Sequence, residues 1–351
     1  MSAPRTVLLG DLLKATSRSF YLTLRVLPRA VRPQIGLAYL LARTTDTIAD
    51  TEILPAAQRL EALRRLRERI LGRSQAPLDF AEAARHQGNP AERTLLEHVE
   101  ASLALLATLS LNDADLVRAV LITITSGQEL DLQRFGGQAP AAAAGAPRPR
   151  IALATEAELD DYTYRVAGCV GEFWTHLCRT HLFPRAPVDS AQLIADGIRF
   201  GKGLQLVNIL RDLPADLQNG RCYLPRETLS AAGLTPETLM EPASEIAFLP
   251  LYRRYLDLAE GHLQAGWRYT NTLPYGQFRV RLACAWPVLL GFRTLARLRP
   301  AGVAQLQQRV KVPRGEVRSI LFRSLVASPF PGIWRGLADS AQRPVPPGRP
   351  Q

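Results

Sequence analysis

Asp46-Thr-Ile-Ala-Asp50 and Asp212-Leu-Pro-Ala-Asp216 repeat one carboxylate spacing at two distant places in the chain. On an α-helix, residues four apart lie about 40° apart around the axis and about 6 Å along it, so each stretch sets two acids side by side. Like charges at that spacing weaken an isolated helix, and a chain that does this twice is answering a cation. Polar residues extend both motifs along one helical face: Tyr39, Arg43, Asp46 and Asp50 in the first, Gln205, Asn208, Asp212 and Asp216 in the second. The flanking runs, Ile35 to Ala42 and Gly203 to Leu210, are too apolar for surface helices. The two polar stripes are therefore expected to confront each other across an internal, wet cavity.

At 351 residues and 47% hydrophobic composition the chain is long and apolar enough for a substantial core. A formal charge of +11 favours anionic partners such as an acidic membrane surface or phosphorylated substrates. Arginines are scattered and no basic run is interleaved with aromatics, so no nucleic-acid partner is expected. Cys169, Cys178, Cys222 and Cys284 lack metal-ligand spacing and read as reduced structural thiols. The five histidines lack HExxH-type spacing, and Gly201-Lys-Gly203 sits inside a helical pattern rather than after a strand, which excludes a phosphate loop. The opening residues lack a signal-peptide core, and the longest apolar run, Leu282 to Leu290, is too short to cross a bilayer. A cytoplasmic protein, peripheral at most on the inner face of the membrane, is expected.

Helical patterns cover 8–21, 34–52, 56–70, 91–109, 112–132 with Asn112-Asp113 as its N-cap region, 156–182, 189–213, 226–233, 241–273 and 276–299, with a last short helix ending near Leu325. Neither strand alternation nor a βαβ rhythm is visible, so the fold is expected to be all-α. Residues 136–152, rich in Ala, Pro and Gly, read as a flexible insertion within one domain spanning 1–340, and 341–351 as a disordered proline-rich tail. Pro214 lacks an N–H, so the second acidic pair is expected to straddle a kink or a helix end. The small residues of Tyr162-Thr-Tyr-Arg-Val-Ala-Gly168-Cys-Val-Gly171 permit close approach of either a ligand or a neighbouring helix.

Oxygen-only, doubly acidic helical sites suit Mg²⁺, which bridges protein carboxylates to phosphate oxygens and keeps several waters. With Arg18, Arg43, Arg211 and Arg221 near the motifs in sequence, the set reads as a diphosphate clamp that helps the group depart. The other product of such an ionisation is a carbocation, which needs a dry apolar chamber with aromatic walls.

Four stretches, Ser17-Arg-Ser-Phe20, Tyr39 to Asp50, Tyr162 to Gly171, and Gln205 to Asp216 continuing through Tyr223, resemble the squalene/phytoene synthases in order and separation. The resemblance covers roughly residues 10 to 325. It implies a single-domain trans-isoprenoid synthase fold with a central helical cavity, joining two prenyl diphosphates head to head through a cyclopropyl diphosphate. It also implies that Asp46, Asp50, Asp212 and Asp216 hold Mg²⁺, and that Arg18, Arg43, Arg211 and Tyr223 contact diphosphate, with Phe20 and Arg221 in the same substrate-binding stretches. By the same resemblance Gln205 and Asn208 orient substrate or metal-bound water, while Tyr162, with Tyr39 beside it, serves deprotonation or cation stabilisation. A tyrosine of pKa about 10 is a poor base, which leaves released diphosphate as the other proton acceptor.

Ala49 and Ala215 stand where many relatives carry an additional acid, so the number of metal ions stays open. No run in these residues resembles the hydrophobic C-terminal anchor of eukaryotic squalene synthases, so any membrane attachment is expected to be peripheral contact with an anionic membrane. The leading expectation is condensation of two farnesyl diphosphates to presqualene diphosphate and then squalene, with NADPH required only if squalene is the product. Leu27-Pro-Arg and Arg221-Cys-Tyr-Leu-Pro lean instead toward phytoene synthases acting on geranylgeranyl diphosphate. A non-catalytic, membrane-associated assembly protein of the same fold is the alternative from a different class.

Overall fold

The computed structural model describes residues 6–17, 20–51, 53–136, 149–308 and 310–344. The protein is 75% helical with almost no strand, the all-α architecture expected. The chain divides into two compact units, one of residues 1–146 with 173–185, the other of 147–172 with 186–351.

The first unit is built around α1 (Arg32–Asp50), which starts with Pro33 in its first turn, where a missing N–H costs nothing. Most of α1 is buried. Its interior threonines are tolerated because they return their hydroxyls to the helix: Thr44 to the Leu40 carbonyl at 2.9 Å and Thr45 to that of Ala42 at 2.8 Å. Against it pack α2 (Ala56–Ile70), α3 (Pro90–Glu97), α4 (Val99–Leu106) and α5 (Leu111–Phe135). The arginine-rich α2 turns Leu63, Leu66 and Ile70 inward, leaves Glu61, Arg64 and Arg65 exposed, and buries Arg59, which donates to the Ala49 carbonyl of α1 at 2.7 Å. The single helix expected over 91–109 is interrupted at His98. Helix α5 is capped by Ser110, whose hydroxyl accepts the Asp113 N–H at 3.2 Å, rather than in the Asn112-Asp113 region.

The second unit holds β1 (Ile151–Ala152), α6 (Glu156–Thr163), a π-helical turn over Tyr164–Gly168, the first four residues of α7 (Cys169–Leu182), and the long α8 (Ser190–Gln218). β2 (Arg221–Cys222), α9 (Glu245–Thr272), α10 (Phe278–Leu298), α11 (Arg314–Ala327) and α12 (Pro331–Gln342) follow in it, with short helical turns at Arg226–Ala231 and Val303–Leu306 between them. β1 and β2 form a two-residue parallel bridge, Ile151 opposite Arg221 and Ala152 opposite Cys222, too short to carry an alternation signal.

Helix α8 packs along α9 and against the π-helical turn. Its approach is close enough that a Cβ on Gly201 would lie 2.1 Å from the Ala167 carbonyl oxygen, and one on Gly171 would lie 1.9 Å from that of Gly197. Close packing of backbones thus accounts for Gly171 and Gly201 without a ligand.

Pro214 does not end α8, which overturns the helix end given as one of the two expectations, for the helix runs on to Gln218. A proline at 214 leaves the Leu210 carbonyl without its helix donor. The buried hydroxyl of Tyr252, on α9, donates to that oxygen at 3.0 Å and restores the lost bond from outside the helix.

Ala341, the first residue of the expected tail, is instead buried in α12, a helix that the sequence patterns do not show. Residues 137–148 of the expected insertion and 345–351 of the tail lie outside the described residues. All four cysteines are buried.

Candidate active site

In the first unit α1 carries Tyr39, Arg43, Asp46 and Asp50 along one face, as the spacing predicts. Tyr39 is held at both ends: its ring lies 5.2 Å from that of Phe20, and its hydroxyl donates to the Thr16 carbonyl at 3.0 Å. Arg43 forms an ion pair with Asp46 and a second, at 2.5 Å, with Glu92 on α3. Burial works against the Arg43 guanidinium, yet Asp46 and Glu92 outweigh it and hold its pKa above the ordinary arginine value. Asp50, at the end of α1, is exposed. Arg18 lies outside the described residues.

Burial first, and then the like charge of Asp50, push the Asp46 carboxyl up to about 7 against the pull of Arg43. Dense packing surrounds this group, although 40% of its side-chain surface stays open to solvent. Two carboxylates one helical turn apart repel each other, and the arginine beside them is shared with Glu92, so the pair is short of positive charge, the deficit that a divalent cation supplies.

In the second unit α8 carries Gln205, Asn208, Arg211, Asp212 and Asp216. Arg211 grips its neighbour Asp212 with both arms of the guanidinium, Nε lying 3.0 Å from Oδ1. Asp212 and Asp216 are half-buried, as is Gln205, while Asn208 is exposed. Beyond the helix Gly220, at φ +78°, turns the chain into β2, and the bridge to β1 fixes Arg221 beside the end of α8. Burial pushes the Cys222 thiol up to about 12 and the Asp216 carboxylate adds to it, so that carboxylate lies close to β2. Tyr223 follows, stacked on Tyr162 of α6 with ring centroids 4.6 Å apart, and both are buried.

The first unit thus brings together Phe20 with Tyr39 and Arg43 with Asp46, and the second brings together Arg211 with Asp212 and Tyr162 with Tyr223. Two residues escaped the sequence reading. Glu92, 49 residues from its partner Arg43, sits on an ordinary amphipathic helix and offers no local signal. Tyr252 sits within α9, and its role follows only from the carbonyl that Pro214 leaves bare.

Among the described residues no group of three or more His, Cys, Asp or Glu side chains stands ready as a metal cage. Mg²⁺ does not demand one, since it is held by one or two carboxylates together with waters and substrate phosphates. The oxygen-only pairs Asp46 with Asp50 and Asp212 with Asp216 fit that donor set.

An all-α fold bearing two such carboxylate pairs, each beside an arginine, defines the isoprenoid synthase class. The chain belongs to the squalene/phytoene synthase family, whose family model matches residues 13–316 and whose members are prenyltransferases. It is 30% identical over 260 residues to a presqualene diphosphate synthase from Rhodopseudomonas palustris, covering 74% of this chain and 77% of that one. It is also 30% identical over 256 residues to a bifunctional lycopene cyclase/phytoene synthase from Gibberella fujikuroi, covering 71% of this chain and spanning only 40% of the fungal protein. Among solved structures, the complex of TcSQS with the ligand E5700 superimposes with a TM-score of 0.76 at 21% identity, over 97% of this chain and 90% of that one, a likeness of fold. None of the helices among the described residues is long and apolar enough to cross a membrane.

Proposed function

We propose that this chain condenses two farnesyl diphosphates head to head to presqualene diphosphate, and on to squalene where NADPH is supplied. The observation that carries the proposal is the acidic face of α1, where Asp46 pairs with Arg43 one turn before Asp50, a spacing that recurs at Asp212 and Asp216 on α8 in a chain of the squalene/phytoene synthase family. The whole of residues 1–340 would act as one catalytic domain, with both pairs serving the diphosphates that the reaction expels. The relative from Rhodopseudomonas palustris supports the C15 substrate by its name, and the fungal relative's name keeps geranylgeranyl diphosphate and phytoene as the second reading.

Bound at the four aspartates, Mg²⁺ would neutralise the charge that develops on the departing diphosphate. The protein's own groups do the rest. Arg43 and Arg211 offer forked N–H donors to phosphate oxygens, with Arg18, Arg221 and Tyr223 adding contacts in the same stretches. Gln205 and Asn208 orient the substrate from the polar face of α8. Tyr162, fixed by its stack on Tyr223, presents a π-face able to stabilise an allylic cation, and the proton leaves to released diphosphate or to a tyrosine oxygen. Tyr39 and Phe20 supply the corresponding aromatic surface in the first unit. The enzyme would work in the cytoplasm, in peripheral contact with the inner face of the membrane that receives its product.

The test is incubation of purified protein with farnesyl or geranylgeranyl diphosphate and Mg²⁺, with and without NADPH, followed by product analysis. Diphosphate release with a C30 product is expected. A C40 product would establish the phytoene reading, and no release from either substrate would leave the assembly-protein alternative. Asp46→Ala and Asp212→Ala are each expected to lower kcat/KM by a factor on the order of 10³ with unchanged circular dichroism. Near wild-type turnover in either variant would contradict the assigned roles.

A further inference from the structure

Residues 1–274 contain thirty acidic and thirty basic side chains, so the entire formal charge of +11 resides in residues 275–351, whose thirteen arginines and lysines outnumber its two acids, Glu316 and Asp339. Among these bases Arg299 is answered by Asp257 and Glu260 on α9. Of those two acids Glu316 is taken up by Arg293 and Arg297 on α10. Arg314, Arg318, Arg323 and Arg335 are exposed and have no carboxylate partner among the described residues.

The same segment carries the densest group of exposed apolar side chains. Phe322, Leu325, Val326, Phe330 and Ile333, within twelve residues, are each between 51% and 67% exposed. On α11 the spacing of Arg318, Phe322, Leu325 and Val326 keeps all four within about 100° of arc, one face with the arginine at its upstream end. The corner that leads from α11 into α12 is tied to a further pair of exposed aromatics, Tyr275 and Phe278. The Tyr275 hydroxyl donates to the carbonyls of Ser328 at 3.2 Å and Pro329 at 2.8 Å. Arg281 lies over the rings of both Tyr275 and Trp334, 5.3 and 5.0 Å from their centroids, so cationic and aromatic groups alternate across the corner. Beside this face a recess of about 240 Å³ sets the guanidinium groups of Arg293, Arg323 and Arg343 against the one carboxylate of Glu316, with the hydroxyls of Ser319 and Ser340, a net positive lining at a size that suits a phosphate-bearing headgroup.

Exposed apolar groups rimmed by unpaired arginines are the surface chemistry of a protein that lies on an anionic bilayer, with aromatics at headgroup level and cations on lipid phosphate. A protein partner of mixed charge would leave most of this positive field unanswered. We infer that the α11–α12 corner, with Tyr275 and Phe278, is the surface by which this chain docks on an anionic membrane. Its purpose rests on the prenyl-transfer reading, since a C30 or C40 product is insoluble in water, but the docking itself can be measured without turnover.

Flotation of the full chain with phosphatidylcholine vesicles, with and without phosphatidylglycerol, tests it. Binding that requires the anionic lipid and falls with salt is expected. Phe322→Ser/Val326→Ser and Arg318→Glu/Arg335→Glu are each expected to weaken it about tenfold or more, while diphosphate release from soluble substrate stays at the wild-type rate. Equal binding to neutral vesicles, or binding unchanged in both variants, would overturn the inference. So would a wild-type dimer in sedimentation that Phe322→Ser/Val326→Ser dissolves, since the face would then belong to a second copy. A chain that floats with anionic vesicles but releases no diphosphate from either substrate would refute the prenyl-transfer reading and leave the docking surface standing.

Discussion

Replacing Tyr252 with Phe removes one hydroxyl and strands one carbonyl. In the native chain that hydroxyl donates at 3.0 Å to the Leu210 oxygen, and both residues are only 1% exposed. The Phe side chain fills the same space, so no cavity enters the comparison. What is lost is a buried hydrogen bond whose acceptor has no substitute donor, because residue 214 is proline and water does not reach the site. Net bond loss together with desolvation of an orphaned carbonyl is worth about 2 kcal/mol, which for a chain of this length lowers Tm by about 3 °C. Pro214→Ala supplies the missing N–H and returns the Leu210 oxygen to its helix partner. In that background Tyr252→Phe should cost less than about 0.5 kcal/mol, a coupling of about 1.5 kcal/mol between two residues on different helices. Urea unfolding of the four proteins, with m-values compared to check that the unfolded states match, measures the cycle. Equal costs of Tyr252→Phe in the two backgrounds would refute the reasoning, and so would a cost below about 0.5 kcal/mol in the native one.

Gly201→Ala, whose Cβ would meet the Ala167 carbonyl at 2.1 Å, is expected to prevent accumulation of soluble protein or to depress Tm far more than Gly10→Ala, which has open space at its Cβ; thermal melts of the two variants check this, and equal melts would contradict it. Burial, with the positive charges of Arg199 and Lys202 added and Asp160 opposing, lowers the His262 pKa to about 4. Between pH 6.5 and 4 the unfolded chain therefore binds a proton at this site that the native chain refuses, and stability falls as pH drops through that window. His262→Gln should flatten that part of the stability profile measured by urea midpoints, and an unchanged slope would contradict the assignment.

Helix existence was legible in the sequence wherever an apolar stripe ran for several turns, and so was the alignment of Tyr39, Arg43, Asp46 and Asp50, because helical spacing alone puts them on one face. Interruptions and caps were harder. His98 divides a run that reads as one helix, and Ser110 rather than Asn112-Asp113 caps α5, since several polar residues in a row compete for one cap. Helix α12 was missed because Pro331, Gly332 and Gly336 lower its propensity, and its formation rests on burying Trp334, Leu337 and Ala338 against the rest of its unit.

Local spacing determined the all-α fold and the two carboxylate pairs, because hydrophobic period and i to i+4 geometry are properties of the chain by itself. Whether a proline ends a helix is decided elsewhere. Pro214 reads locally as a breaker, yet α8 continues because Tyr252, 38 positions further along, supplies the bond that the proline cannot keep. Likewise the elevated Asp46 carboxyl needs burial and Glu92, neither of which is visible in the five residues of its motif. Hydrogen-bond satisfaction and desolvation depend on neighbours brought in by folding, and only the tertiary structure says who those neighbours are.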